Sequence, residues 1–178
     1  QTFPDKFQFE SNRDYADYLY LRDDLATLRG KKFQAKRNHV NKFLRAYPDF
    51  TYYELTPELV PECLELEARW TAENQQTNAA ALESERRSMT YALEHFKELD
   101  LVGGVLCVAG KMAAFTYGTP INGFAFDVCV EKADTRIDGA YAMINYEFAR
   151  RLPEQYQFIN REEDLGIPGL RQAKLSYQ

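Results

Sequence analysis

The chain has 178 residues, of which 45% are hydrophobic and 14% aromatic, and it carries a formal net charge of −5. This length supports one domain with a sizeable core, and the apolar content excludes a disordered chain. No apolar run of about 18 residues and no charged-then-apolar leader is visible, so no integral membrane segment is expected and a cytoplasmic location is predicted.

In chain order, Asp14 to Leu28 holds Tyr15, Tyr18, Leu19, Leu25 and Leu28 around the polar run Arg22-Asp23-Asp24, which predicts two short helical pieces. Gly30 interrupts this pattern. From Ala35 to Tyr47, the apolar positions Val40, Phe43, Leu44 and Tyr47 fall at helical spacing with cations on the other faces, a basic amphipathic helix ended by Pro48. Seven of the 22 basic residues lie between Arg29 and Arg45 with no acid among them. A local basic patch therefore sits on an acidic chain. Phe50 to Leu55 reads as a strand. Thr56 as N-cap and Pro57 in the first turn then start a helix to about Glu73. Asn74 to Asn78 reads as a loop, and Ala80 to Leu99 as a second helix.

Leu101 to Val108 and Lys111 to Gly118 are apolar runs joined by Ala109-Gly110, the signature of a hairpin. Gly123 to Val130 alternates, with Phe124, Phe126, Val128 and Val130 expected on one face and Ala125, Asp127 and Cys129 on the other. From Asp138 the period changes to that of a helix whose stripe is Ile137, Tyr141, Ile144, Phe148 and Leu152. The polar junction from Glu131 to Ala140 is where a ligand is expected. Tyr156 to Asn160 reads as a strand, Arg161 to Gly166 as a polar loop, Pro168 to Gln172 as one helical turn, and Ala173 to Tyr177 as a last strand. This order predicts an α/β (α+β) fold with a mixed, mostly antiparallel central sheet and helices on both faces. Residues 1–48 are expected as a helical extension carrying the basic helix, and 49–178 as the main domain.

Several residues could carry chemistry. Lys31, Lys32, Lys36, Arg37 and Asn38 could hold phosphates of tRNA, a nucleotide or a lipid head group, or could form a solvated face balancing nearby acid. The turn Arg136 to Gly139, before a helix, could bind an anion on free backbone N–H groups, or be capped by Asp134 and Asp138. Asp127 lies within a strand, where a carboxylate needs a partner such as Arg171 or Lys174, or a cleft. Asp127 and Glu131 are the general-base candidates for a transfer in which an attacking amine or hydroxyl must lose a proton, with structural ion pairs as the other reading. Asn160, Asp164, Arg171 and Lys174 would rim the cleft. Lys174 or Arg171 could stabilise an oxyanion or hold a ribose-phosphate, or join a surface network with Glu162, Glu163 and Asp164. Cys63, Cys107 and Cys129 lack CxxC spacing and read as buried free thiols. With only two histidines, no metal site is expected.

The element order resembles the Gcn5-related (acyl-CoA) N-acyltransferase fold, whose pyrophosphate signature Gln/Arg-x-x-Gly-x-Gly/Ala has its nearest match in Arg136-Ile137-Asp138-Gly139-Ala140-Tyr141, with Tyr141 at the last small position. More of the chain resembles the C-terminal domain of bacterial phosphatidylglycerol lysyltransferases and their soluble relatives. This likeness rests on Tyr20 to Lys32, Lys36 to Phe43, Asn160 to Gly166 and Gly169 to Lys174. It implies an acyltransferase-type fold used in tandem, with this chain as the second unit of a longer protein, and an activity that passes an aminoacyl group from aminoacyl-tRNA to an acceptor the sequence does not identify. No bound cofactor is expected, and aminoacyl-tRNA or acyl-CoA would be the cosubstrate. An acyl-CoA-dependent N-acyltransferase and a non-catalytic nucleotide- or partner-binding module are the alternatives.

Overall fold

The computed structural model describes residue 7 and residues 9–74 and 79–178; of the loop expected over Asn74 to Asn78, Asn74 ends a helix and 75–78 lie outside the described residues. The elements are β1 (Leu19–Leu21), α1 (Arg22–Thr27), α2 (Gln34–Ala46), β2 (Thr51–Glu54), α3 (Val60–Asn74), α4 (Ala79–Glu94), β3 (Val102–Val108), β4 (Lys111–Pro120), β5 (Ala125–Ala133), α5 (Ala140–Arg151), β6 (Phe158–Asn160) and α6 (Pro168–Leu175). The strands form one six-stranded sheet in the order β1-β6-β5-β4-β3-β2, in which only β5 and β6 run parallel. This is the mixed, mostly antiparallel sheet that the element order predicts. No helix among the described residues is long and apolar enough to cross a membrane.

Two apolar clusters pack on the sheet. One joins α1, α2 and α5 through residues such as Leu25, Phe43, Phe126, Ile144 and Phe148. The other joins α3 and α4 through Cys63, Leu66, Met89, Leu93 and Phe115. The β3–β4 hairpin turns on Ala109 and Gly110, both at positive φ, the backbone a two-residue loop requires to match strand twist.

The structure corrects the sequence reading in four places. Leu19–Leu21, expected as helical, is an edge strand paired with Phe158–Asn160, so the stretch read as an extension supplies part of the sheet. Ala173–Tyr177, expected as a strand, is mostly the end of α6, because β6 already has β1 and β5 on its two sides and Pro168 starts a helix that carries past Gln172. Tyr141, expected on the buried stripe of α5, is 37% exposed, while Ile144 of that stripe is buried and Met143, outside it, is buried in its place.

The fourth correction lies in β5. Tyr117 pairs with Val130 but Gly118 pairs with Val128, so Cys129 is an extra residue. Such a bulge reverses the alternation beyond it. Phe126 and Val128 face the α5 cluster, whereas Val130 moves to the α3–α4 cluster with Cys129. Gly118 is required here, since a Cβ on it would stand 1.7 Å from the Asp127 carbonyl oxygen.

Candidate functional site

The bulge sits where the sheet opens. β5 and β6 pair only as far as Asp127 and Asn160, after which β5 continues to Ala133 while the chain beyond β6 turns away. Parallel strands that part in mid-sheet leave backbone and side chains facing a fork rather than a neighbour. The polar residues around it fall into three groups.

The first is acidic. Ligand atoms of Asp127, Cys129 and Glu162 lie within 4.8 Å of one another. The Cys129 thiol donates to Asp127 Oδ2 at 3.7 Å, while Asp127 Oδ1 is buried with no hydrogen-bond partner. Asn160 Nδ2 donates to Asp17 at 3.1 Å beside them. Burial, reinforced by Asp17 and Glu163, holds the Asp127 carboxyl above its ordinary range. Burial and the neighbouring Asp127 and Glu163 push Glu162 up to about 7, against the opposing charge of Lys174. Cys129 is pushed up to about 12 by burial and Asp127, so it stays a thiol at neutral pH. The Asp-Cys-Glu set has donors close enough for a cation, a grouping the sequence hid because the bulge creates it.

Because native Glu162 and Asp127 bind protons more tightly than ordinary carboxyls, the folded state holds more protons than the unfolded state, and stability falls as pH rises from about 4.5 to about 7. Urea midpoints at pH 5 and pH 7.5 should show this loss in the natural chain and a clearly smaller one in Glu162→Gln. An unchanged pH dependence in the variant would remove Glu162 as its source.

The second group lies on the α5 side of the fork. Glu131 accepts from Arg161 Nη2 at 3.0 Å and from Asn145 Nδ2 at 3.2 Å. The Arg161 guanidinium stands 5.0 Å from the Tyr177 ring centre and 5.9 Å from that of Tyr20. Lys36 Nζ stands 4.0 Å from the same Tyr177 ring, and burial together with the Arg161 charge lowers its affinity for a proton. Glu131, a general-base candidate in the sequence, is thus occupied as an ion-pair hub between β5, α5 and the loop after β6.

The third group anchors α6. Asp164, fully buried, accepts from Arg171 at 2.8 and 2.7 Å, from Tyr18 at 2.6 Å and from the Gly166 N–H at 2.9 Å. Arg171 also reaches Asp14 at 2.6 Å. These bonds hold the Asp164 carboxyl far below the usual carboxylate range. Arg171, expected to hold carrier or oxyanion, is committed to this cluster, since its charge is already matched by two carboxylates.

Lys174 is also committed. It is buried, and its ammonium donates to the carbonyls of Arg161 and Glu163. These flank Glu162, which is held in the left-handed region at φ 54°. Lys174 is therefore a tie for the turn that presents Glu162, and it is not aimed at the fork. Lys174→Met should lose about 2–3 kcal/mol of stability in urea unfolding, the scale of charge-assisted bonds to buried backbone oxygens. A loss below about 0.5 kcal/mol, the scale of ordinary surface substitutions, would mean that the turn holds itself.

The basic segment divides. Arg37 caps the carbonyls of Leu28 and Gly30, Lys32 pairs with Asp24 at 3.1 Å, Lys42 pairs with Asp138, and Asn38 accepts from Gln34. Lys31 lies exposed at the start of the segment. Lys36 alone of its cations joins the groups at the fork. At the helix expected to bind an anion, Arg136 is engaged by Asp134 at 2.8 and 2.6 Å. Gly139 is at φ 84° with α2 laid against it: a Cβ there would stand 2.9 Å from the His39 carbonyl oxygen. That end of α5 is packing, and Arg136 and Gly139 stand apart from the fork. Arg161 and Asn145 were not singled out by the sequence, and Glu162 was read there only as a member of a surface network. The Asn160 to Gly166 resemblance was the one signal covering two of them.

The family described as phosphatidylglycerol lysyltransferase, C-terminal, matches residues 2–178. The chain belongs to this family. A conserved protein of unknown function from Bacteroides thetaiotaomicron VPI-5482 shares 62% identity and superposes with a TM-score of 0.92, over 98% of this chain and 59% of its own. A C-terminal domain assigned to a lysylphosphatidylglycerol synthetase of Agrobacterium fabrum shares 15% identity with a TM-score of 0.63, over 92% of this chain and 56% of its own. A functionally unknown conserved protein from Staphylococcus epidermidis ATCC 12228 gives 8% identity and a TM-score of 0.53, over 89% and 54%. The last two establish likeness of fold alone. No curated protein matches the chain. The chain spans between half and three fifths of the length of these structures.

Proposed function

We propose that this chain is the second of two tandem acyltransferase-like units in a cytoplasmic aminoacyltransferase that moves an aminoacyl group from aminoacyl-tRNA to an acceptor hydroxyl or amine. The observation that carries this reading is the parting of β5 from β6 at the Asp127–Asn160 pair, with a carboxylate of raised proton affinity at the fork. Family membership supports the transferase class.

In the reaction, the acceptor oxygen or nitrogen bonds to the acyl carbon, its proton passes to Asp127, and the bond from the acyl carbon to the carrier's ribose oxygen breaks. That oxygen leaves with the proton Asp127 has taken. A carboxylate held above its ordinary range by burial suits both halves of the transfer. Glu131, paired to Arg161, and Lys174, tied to the turn, serve as positioning residues. Lys36 and the exposed Lys31 attract the polyanionic carrier over a distance set by salt. The acyl-CoA reading is less favoured, since α2 is laid against Gly139, where a Cβ would stand 2.9 Å from the His39 carbonyl oxygen.

The test is transfer of a radiolabelled amino acid from aminoacyl-tRNA by the full-length protein, offered phosphatidylglycerol vesicles in one arm and a soluble amine in the other. Label moving to either acceptor supports the reading. Label moving to neither, with the protein folded, overturns it.

A further inference from the structure

The sheet face turned away from α5 is covered on one half only. α3 and α4 pack over it beside β3 and β4, through Val105, Phe115, Tyr117 and Val130. On the other half the register tells which side chains face the same way. Tyr20, Ile159 and Phe126 point into the α5 cluster, so their strand neighbours point away from it, in two rows across the strands. One row is apolar, with Leu21 beside Phe158 beside Ala125; the next is Leu19, Asn160 and Asp127. Phe124 borders the first row, its ring meeting that of Phe158 edge-on at 6.4 Å.

Leu19, Leu21 and Phe124 are 53, 52 and 53% exposed. Their exposure is held in place. The Phe124 carbonyl accepts from the N–H groups of Gln157 and Phe158 at 2.8 and 3.1 Å, and the Asn122 side chain accepts from those of Phe124 and Ala125 at 3.0 and 2.9 Å. β1 is also the last strand of the sheet, and an open edge carrying apolar side chains invites a neighbour. Charge selects which neighbour. Asp17, Glu162 and Glu163 gather around Asp127 at the polar end of the face. A nucleic acid or an anionic membrane laid on it would be repelled, and a second copy would bring the same acids face to face. A protein surface with an apolar centre and a basic rim fits both ends.

We propose that the other unit of the full-length protein docks on this face, laying apolar side chains over Leu21, Phe158 and Phe124 and cations opposite Asp17 and Glu162. The occupant rests on the tandem-unit reading above, and on the 62%-identical relative, of which this chain spans only 59%. Successive same-face residues of a strand lie about 7 Å apart, so a unit seated on the apolar row stands beside Asp127. It would form the outer wall of the fork, and the cleft at Asp127 would be shared between two units.

The experiment is hydroxyl-radical footprinting of the full-length protein, read by mass spectrometry at Leu21 and Phe124 against Tyr91, an exposed ring on α4. Corrected for intrinsic reactivity, both should be oxidised about fivefold less than Tyr91, the change from a half-exposed side chain to the core of an interface. Leu19→Glu, at an exposed position, should restore their oxidation. Protection in a monomer that is independent of concentration and lost in Leu19→Glu supports the proposal. Oxidation of Leu21 and Phe124 at the rate of Tyr91 in the natural protein overturns it, whether or not the variant folds. Protection that survives Leu19→Glu places the contact elsewhere and overturns it. Protection lost on dilution, as light scattering shows dimer giving way to monomer, assigns the face to a second copy and overturns it too. Transfer of the aminoacyl group without protection removes this inference alone; protection without transfer removes the proposed chemistry and leaves the docking face.

Discussion

Asp127→Asn in the full-length protein should lower aminoacyl transfer by about 10²- to 10⁴-fold, the range associated with a positioned general base, with the KM for the carrier nearly unchanged. The substitution keeps shape and removes the proton acceptor. It also removes a carboxylate that burial disfavours, so the folded protein at pH 7 should be no less stable than the natural chain and should show a weaker decline in stability as pH rises above about 4. This combination separates the two readings of Asp127. A structural ion pair would give the opposite result, stability lost and activity reduced only through unfolding. Arg171 and Lys174, the partners such a pair would need, are engaged with Asp164, Asp14 and backbone carbonyls. Glu162→Gln should reduce transfer by less, because Asp127 owes its raised proton affinity first to burial and then to Asp17 and Glu163. If Asp127→Asn transfers at the natural rate, Asp127 is not the base, and the fork loses the residue around which the reaction was built.

The parts of this molecule written in periodicity were legible. The β3–β4 hairpin, α2, α3 and α5 follow from apolar spacing and from punctuation at Gly110, Pro48 and Pro57, and the mixed sheet follows from their order. The parts that depend on one residue of register were not. The bulge at Cys129 adds a residue without changing composition, so Val130 reads as the partner of Val128 although it faces the other way. Ala173 to Tyr177 alternates like a strand, and only the occupied neighbours of β6 make it helical. The site was half visible. Asp127 stands out as a carboxylate inside a strand, whereas Arg161 and Glu162 look like members of a charged loop until a left-handed turn and the Lys174 tie direct them to opposite sides of the fork. Among the cations of α2, nothing in sequence distinguishes Lys36, which reaches the fork, from Arg37, which caps α1.

Lys132→Met should cost about 3–5 kcal/mol in urea unfolding, a larger loss than any surface substitution on α2. The sequence shows Lys132 as one more polar residue of the junction, but the bulge turns it inward, where it is 4% exposed. Its ammonium lies 3.6 Å from the Trp70 ring centre, 3.5 Å from Glu67 Oε2 and 2.8 Å from Glu85 Oε1. The three partners do not depend on it equally. Glu85 is nearly half exposed and returns to water, and the Trp70 ring packs as well on a methionine. Glu67 is 1% exposed, with the Thr71 hydroxyl on Oε1 and no hydrogen bond on Oε2, so without the lysine it holds a buried charge with little compensation. The penalty should therefore sit on that one carboxylate. Replacing it as well, in Lys132→Met with Glu67→Leu, should return the protein to within about 1–2 kcal/mol of the natural chain, since a buried ion pair exchanged for apolar side chains of similar volume is often nearly neutral. If the double variant is no more stable than the single one, the loss belongs to the cation on Trp70 instead. The double variant also bears on function: it keeps α3 docked on β5 beyond the bulge by apolar contact, so it should retain aminoacyl transfer. A folded double variant without transfer would extend the site from the fork at Asp127 along β5 to Lys132.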